Sequence, residues 1–256
     1  MIENAEARAT QTKTGLLRAP DVTVARLILV SYLRSGWMLV EFVLVLACFA
    51  ALYFPFLENT VYFNGTSTFA LGAIAILGPV IMVRQATSAR TYLLLARLTA
   101  RAAYSRGLML AAAALRIPLY LFFLALVLLF HRLIDPTANL LFWGAVGVIP
   151  NTILVATLTV ALCSPMATRL KRIYFLAWLA LVLFSFKPIF TIPRWLENVL
   201  SISQIPLWPV GACYTLGATG TFSLLSLLGL LLLACYCVLI ALVAGYWLEK
   251  RELLLY

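Results

Sequence analysis

The sequence predicts an all-α polytopic membrane protein with six transmembrane helices and both termini in the cytoplasm. Three observations lead there. The chain is 64% apolar and 11% charged, with a mean hydropathy of +1.03, whereas soluble domains are roughly 45–50% apolar and about 25% charged. Its apolar residues fall into runs close to the ~20 that a helix needs to cross a ~30 Å hydrocarbon core. Its positive charges collect in alternate links between those runs.

The polar stretch MIENAEARATQTKTGLLRAP at residues 1–20 has no apolar run behind a basic start, so it does not read as a cleaved signal peptide. It is expected to be a mobile cytoplasmic N-terminus, followed by a single six-helix transmembrane domain over residues 21–256. Pro20 and Asp21 make a helix start. The segment Asp21–Ser35 is expected to form an interfacial helix before the first span, although its apolar positions, interrupted by Arg26 and Arg34, do not gather on one clean face.

The spans are expected at Trp37–Phe56, Thr68–Val83, Gly107–Phe130, Leu140–Cys163, Ile173–Phe186 and Phe222–Trp247. The fifth is short and needs residues 189–192, or a tilt, to cross. Among the links, Leu57–Ser67 holds an Asn64-Gly65-Thr66 triplet of glycosylation type, and His131–Asn139 reads as a polar turn. Lys187–Gly220 is different: Pro188, Pro193, Pro206 and Pro209 interrupt it, yet it carries Trp195, Trp208 and long apolar patches. Too apolar for a free loop and too broken for a span, it is expected to lie in the outer interface or to re-enter the membrane.

Orientation follows from charge. With the N-terminus inside, fifteen Lys and Arg residues lie on the cytoplasmic side and three (Arg132, Lys187, Arg194) outside, with Arg116 within a span. The same distribution accounts for the net charge of +10 without nucleic acid as a partner, because no aromatic-and-basic strand-binding pattern accompanies it. The five cysteines lie in or beside apolar runs and form no CxxC pair, so they read as small apolar residues.

The basic link is the stretch that stands out. Between spans two and three lie Arg84, Arg90, Arg97, Arg101 and Arg106 with no acidic residue. On a helix, Arg90, Arg97 and Arg101 fall within about 40° of one another. Thr87 and Ser105 border that stripe, while Tyr92, Leu95, Leu98, Ala102 and Ala103 point elsewhere. A solvated turn does not require a basic helix with an apolar flank, so the link reads as a docking element.

Intramembrane ionisable residues are few. Glu41 lies one turn into the first span and Arg116 within the third, just before Pro118. Together they are the candidate intramembrane polar site. Glu41 could snorkel, pair locally or serve an ion relay; Arg116 could line a polar path or bond backbone freed by the proline. His131 reads as a solvated histidine at the outer edge. One histidine in the chain excludes paired haem ligation and HExxH zinc chemistry. There is no GxSxG and no paired carboxylate, so no catalytic residues, metal or cofactor are expected in this chain. No P-loop is present either, and any ATP and Mg would be held by a second chain.

The stretch Ser88-Ala89-Arg90-Thr91-Tyr92-Leu93-Leu94-Leu95-Ala96-Arg97 resembles the region around the coupling helix of ABC-2 type transporter permeases. Ile192-Pro193-Arg194-Trp195-Leu196 and Ile205-Pro206-Leu207-Trp208-Pro209 are similar to the paired short helices that family places before its last span. The tail from Ala244 to Glu252 is similar to its ending. The segment before span one is less amphipathic than that family's connecting helix. The resemblance implies a membrane-spanning permease subunit of an exporter in the prokaryotic plasma membrane, paired with a second permease subunit and seated on an ABC ATPase subunit. It implies coupling through Arg84, Ser88, Arg90, Tyr92, Arg97 and Arg101. The alternatives are an ATP-independent secondary transporter, for which Arg116, Asn151, Pro79 and Pro150 are the relevant features, and a membrane scaffold or assembly protein.

Overall fold

The computed structural model describes residues 20–54, 57–86, 101–134, 136–163, 174–180, 202, 204–205, 207–220 and 222–250. Within them run α1 (Pro20–Arg34), α2 (Trp37–Leu52), β1 (Glu58–Asn59), α3 (Thr60–Ala86), α4 (Arg101–Leu129), β2 (Leu133–Ile134), α5 (Ala138–Cys163), α6 (Trp208–Thr219) and α7 (Leu224–Lys250). Four helices are long and apolar enough to cross a membrane: α3, α4, α5 and α7. A fifth span results if α1 and α2, bent by 72° at their junction, are counted together. The protein is therefore an all-α, multi-pass membrane protein. The expected fifth span, Ile173–Phe186, lies outside the described residues except for 174–180, which are helical.

The helix of the first expected span, Trp37–Phe56, ends at Leu52, and two other spans start early. The second span begins at Thr60, eight residues earlier than its apolar run. The added turns, TVYFNGTS, hold their polar groups within the helix: the hydroxyls of Thr66, Ser67 and Thr68 donate to the carbonyls of Tyr62 (2.8 Å), Asn64 (3.0 Å) and Asn64 (2.8 Å). The Asn59 side chain accepts from the Tyr62 backbone N–H at 2.7 Å and caps the helix start. Asn64 is thus a buried helical residue and not part of an exposed outer link. The third span likewise starts earlier, at Arg101.

The bundle has two distinguishable ends. At one, β1 pairs in parallel with β2 (Glu58 opposite Leu133, Asn59 opposite Ile134), tying the link after α2 to the link after α4. Beneath this ladder Tyr53, Phe63 and Phe123 pack with ring centroids 5.6–5.9 Å apart, and the Tyr53 hydroxyl bonds Thr66. At the other end the basic link leaves α3 and re-enters α4. Here α1 turns away from α2 at Gly36, whose φ of 77° is a left-handed conformation that glycine adopts without strain. The bend between α1 and α2 is 72°, and the contacts of Asp21 with Arg106 and of Ser35 with Gln85 place both ends of α1 near this end. The buried positions Ile28 and Tyr32 of α1 and its half-buried positions Asp21, Val24, Ala25 and Leu29 do form one helical face. The sequence conceals that face because Val22, Leu27, Val30 and Leu33 on the opposite side are apolar and exposed.

The broken region before the last span contributes α6, only 12 residues long. Asn64 on α3 donates to the Gly217 carbonyl at 2.7 Å and to that of Leu140 at 3.3 Å. Asn151, halfway along α5, donates to the carbonyl of Val210 at 3.3 Å. α6 therefore runs from the middle of α5 up to the ladder end. α6 thus lies alongside the first half of α5, between the levels of Asn151 and Leu140, and against α3. Glycines permit the approach: a Cβ at Gly144 would overlap the Asn64 amide, and one at Gly147 would sit 2.5 Å from the Cys213 carbonyl oxygen.

Replacing Gly144 with Ala should displace the Asn64 amide and cost about 1–3 kcal/mol, the usual cost of overpacking. Thermal unfolding in detergent, followed by size-exclusion chromatography, checks this; the same change at Gly36, which has no atom within 4 Å, tests backbone conformation instead of space.

Candidate functional site

Glu41 and Arg116, 75 residues apart in the chain, meet in the interior. Arg116 Nη2 lies 2.9 Å from Glu41 Oε2, and the two side chains are 2% and 1% exposed. The other carboxylate oxygen, Oε1, accepts from the Tyr32 hydroxyl at 2.5 Å. Arg116 Nε donates to the Ala112 carbonyl one turn back at 3.1 Å. That carbonyl is not the one Pro118 leaves without a partner, which belongs to Ala114, four residues before the proline. Arg116 pairs with Glu41, a role that neither of its two expected ones named, and Glu41 is neither snorkelled nor paired within its own helix.

Each neighbour is placed by its element. Glu41 begins the buried seam of α2, followed at helical spacing by Val45 and Phe49. Arg116 points inward from α4 between buried Leu115 and Leu119. Gly78, on α3, faces the carboxylate so closely that a Cβ there would collide with it. Four helices thus converge on one charge pair: α1 through Tyr32, α2 through Glu41, α3 through Gly78 and α4 through Arg116. Arg116 Nη1 and the hydroxyl of Tyr120, one turn further along α4, are buried without a hydrogen-bond partner among the described residues. Tyr32 and Gly78 were not singled out by sequence. A tyrosine in an apolar helix and a glycine next to Pro79 carry no local signal of a partner 9 and 37 positions away.

The second group of contacts frames the basic link. The Tyr104 hydroxyl, on the first turn of α4, donates to the Ala86 carbonyl, the last residue of α3, at 2.6 Å. Arg106 holds Asp21 of α1 through Nε at 2.9 Å and Nη2 at 3.3 Å. α1 crosses α4 at Gly107, where a Cβ would come within 2.6 Å of Val24. At the other end of α1, the Ser35 hydroxyl donates to the Tyr32 carbonyl of its own turn at 2.7 Å and lies 3.3 Å from the Gln85 side chain. The two feet of the link are therefore fastened to each other and to α1.

Of the expected coupling residues, Arg84 is exposed at the end of α3, and Arg101 is the first residue of α4. Ser88, Arg90, Tyr92 and Arg97 lie outside the described residues. Ser105, expected on the border of the basic stripe, is buried instead at 3% exposure beside buried Ala102, Ala103 and Tyr104. His131 is exposed, as expected of a solvated edge residue, with a φ of 50°. Among the described residues no group of His, Cys, Asp and Glu could hold a metal ion.

Neither family models, nor curated proteins, nor solved structures match this chain. Its site must be read from its own geometry.

In that geometry the ion pair is a junction. Charges this far from water persist because each satisfies the other, and removing one partner of such a pair typically costs about 3–5 kcal/mol. Glu41→Leu and Arg116→Leu should each destabilise the protein by that order. The double variant should recover most of the loss, since it leaves no uncompensated charge. A double-mutant cycle read by reversible denaturation in mixed micelles checks the coupling; additive losses would show that the two side chains act independently.

Proposed function

We propose that this chain is the membrane-spanning permease subunit of an ATP-binding-cassette exporter. In this reading the ATPase is a separate chain that takes up the basic 84–106 link, and two permease subunits together form the path. The observation that carries it is the fastening of the link's feet. A docking loop that only needs to bind can hang from two independent helices. One that must transmit force needs its load passed to the bundle, and here Tyr104 to Ala86, Arg106 to Asp21 and Ser35 to Gln85 supply that connection. A push on the link would move α3, α4 and α1 as one body, the rigid-body element such a mechanism requires.

On this reading the link end is cytoplasmic, both termini are inside, and the fold is of the ABC-2 type with six spans, the fifth including residues 174–180. α1 corresponds to a connecting helix at the inner membrane surface, and α6 to a short re-entrant helix on the outer side. The membrane is the prokaryotic plasma membrane. The chain itself does no chemistry; ATP and Mg belong to the partner.

One observation favours a second reading. A half-helix ending at the middle of its neighbour is the architecture by which ATP-independent transporters build substrate sites, and α6 starts beside Asn151 at mid-length of α5.

Co-purification separates the two. The tagged chain, expressed with its genomic neighbours and extracted in mild detergent, should bring down a P-loop ATPase. Changing Arg90, Arg97 and Arg101 together to Glu should abolish recovery while leaving the permease folded. Recovery of the chain alone in several detergents would favour the ATP-independent reading.

A further inference from the structure

The outward face of α1 carries a pattern that the bundle does not use. Two hydroxyl–guanidinium pairs, Thr23 with Arg26 and Ser31 with Arg34, repeat the same three-residue spacing eight residues apart. On a helix that spacing puts all four side chains on one face, with the two pairs about 12 Å apart along the axis. Leu27 and Val30, 47% and 38% exposed, lie between them. These six residues line one cavity of about 570 Å3.

Three further observations define what this face can take. The opposite face of α1 is fully engaged with the bundle through Val24, Ile28 and Tyr32, so the cavity side is turned outward. Among the described residues the ion pairs are Arg106–Asp21 and Arg116–Glu41; neither Arg26 nor Arg34 takes part in one. Asp21 on Arg106 and Ser35 beside Gln85 hold both ends of α1 at the end of the bundle from which the 84–106 link leaves, which in a membrane-spanning bundle is the headgroup level. A guanidinium forks onto phosphate oxygens and a neighbouring hydroxyl adds a further donor. Apolar residues between two such forks suit the glycerol and upper acyl region of a lipid.

We propose that this face of α1 is a binding site for the phosphate headgroups of anionic phospholipids, one phosphate at Thr23 and Arg26 and the other at Ser31 and Arg34. The site holds α1 against the membrane surface from outside while Tyr32 holds it from within. It requires the membrane-spanning character of the chain and is independent of any ATPase.

The test uses the full chain in nanodiscs of equal parts phosphatidylcholine and phosphatidylglycerol, with lipids retained after detergent extraction counted by native mass spectrometry. The wild-type chain should retain phosphatidylglycerol in preference to phosphatidylcholine. Arg26→Gln with Arg34→Gln should lower that preference by about fivefold per guanidinium removed. Lys250→Gln, a charge removed from the end of α7, should leave it unchanged. Arg26→Lys with Arg34→Lys, which keeps charge and is expected to fold, should give an intermediate loss, as should Thr23→Val with Ser31→Ala. The proposal is overturned if the Gln and Lys variants retain phosphatidylglycerol as the wild type does, or if Lys250→Gln loses as much. It is overturned equally if excess inorganic phosphate displaces the lipid completely, which would mark a free-anion site. Loss of a co-purifying protein from the Gln variant with lipid retention intact would make the face a protein-docking surface.

Discussion

The pairing of Glu41 with Arg116 is the constraint on which the arrangement depends. An isolated charge in the interior of a membrane bundle is expensive, and the cost is met only when partner and hydrogen bonds are in place together. That requirement fixes the rotation of α2 and α4 about their axes, because turning either helix by one position would expose a bare charge to apolar surroundings. It also fixes α3, whose Gly78 leaves the room the carboxylate occupies. Through Tyr32 it reaches α1, which no continuous helix connects to the spans. The polar centre thus specifies an arrangement that non-directional apolar packing alone would leave underdetermined.

Around that centre the bundle uses close backbone approach. Helices in lipid gain nothing by burying one apolar side chain against another in place of acyl chains, so small residues and interhelical hydrogen bonds carry association. The Asn64, Gly144, Gly147 and Gly217 seam is of this kind, and it lets the 12-residue α6 pack closely on α3 and α5. α7 represents the opposite extreme. Most of its length faces outward, with Leu224, Leu231, Val238 and Leu242 all above 50% exposed, and its inward contacts come at small residues such as Gly229 and Gly245. A continuous apolar helix with so narrow an inward seam is consistent with a periphery bathed in lipid.

The membrane character and the approximate places of five apolar runs were legible in the sequence, because chain-length runs of apolar residues report directly on solvent. What could not be read were the events that depend on distant partners. Polar residues 60–67 look like a loop until their hydroxyls are seen bonding back to the preceding turn. The amphipathic pattern of α1 is blurred because its outward face mixes Val22, Leu27, Val30 and Leu33 with Thr23, Arg26, Ser31 and Arg34. Glu41 and Arg116 were visible as unusual, since ionisable residues inside spans are rare, but nothing local joins them. Lys187–Gly220 was recognisably neither loop nor span, and its composition does not say which helix α6 packs on; the Asn151 bond to Val210 sets it beside α5.

The central claim is that Tyr32, Glu41 and Arg116 set the angle at Gly36 and so hold α1 against the link end. Pulsed electron–electron distance measurement between spin labels at exposed Leu27 on α1 and exposed Leu39 on α2, with the native cysteines replaced, tests it directly. The account predicts one narrow distance in the otherwise wild-type chain and a broad distribution once Tyr32 is changed to Phe, which removes the hydroxyl and keeps the ring. An unchanged narrow distance in the Tyr32→Phe chain would contradict it, and would show that the Asp21–Arg106 pair and the apolar packing of α1 on α4 fix the helix without the polar centre.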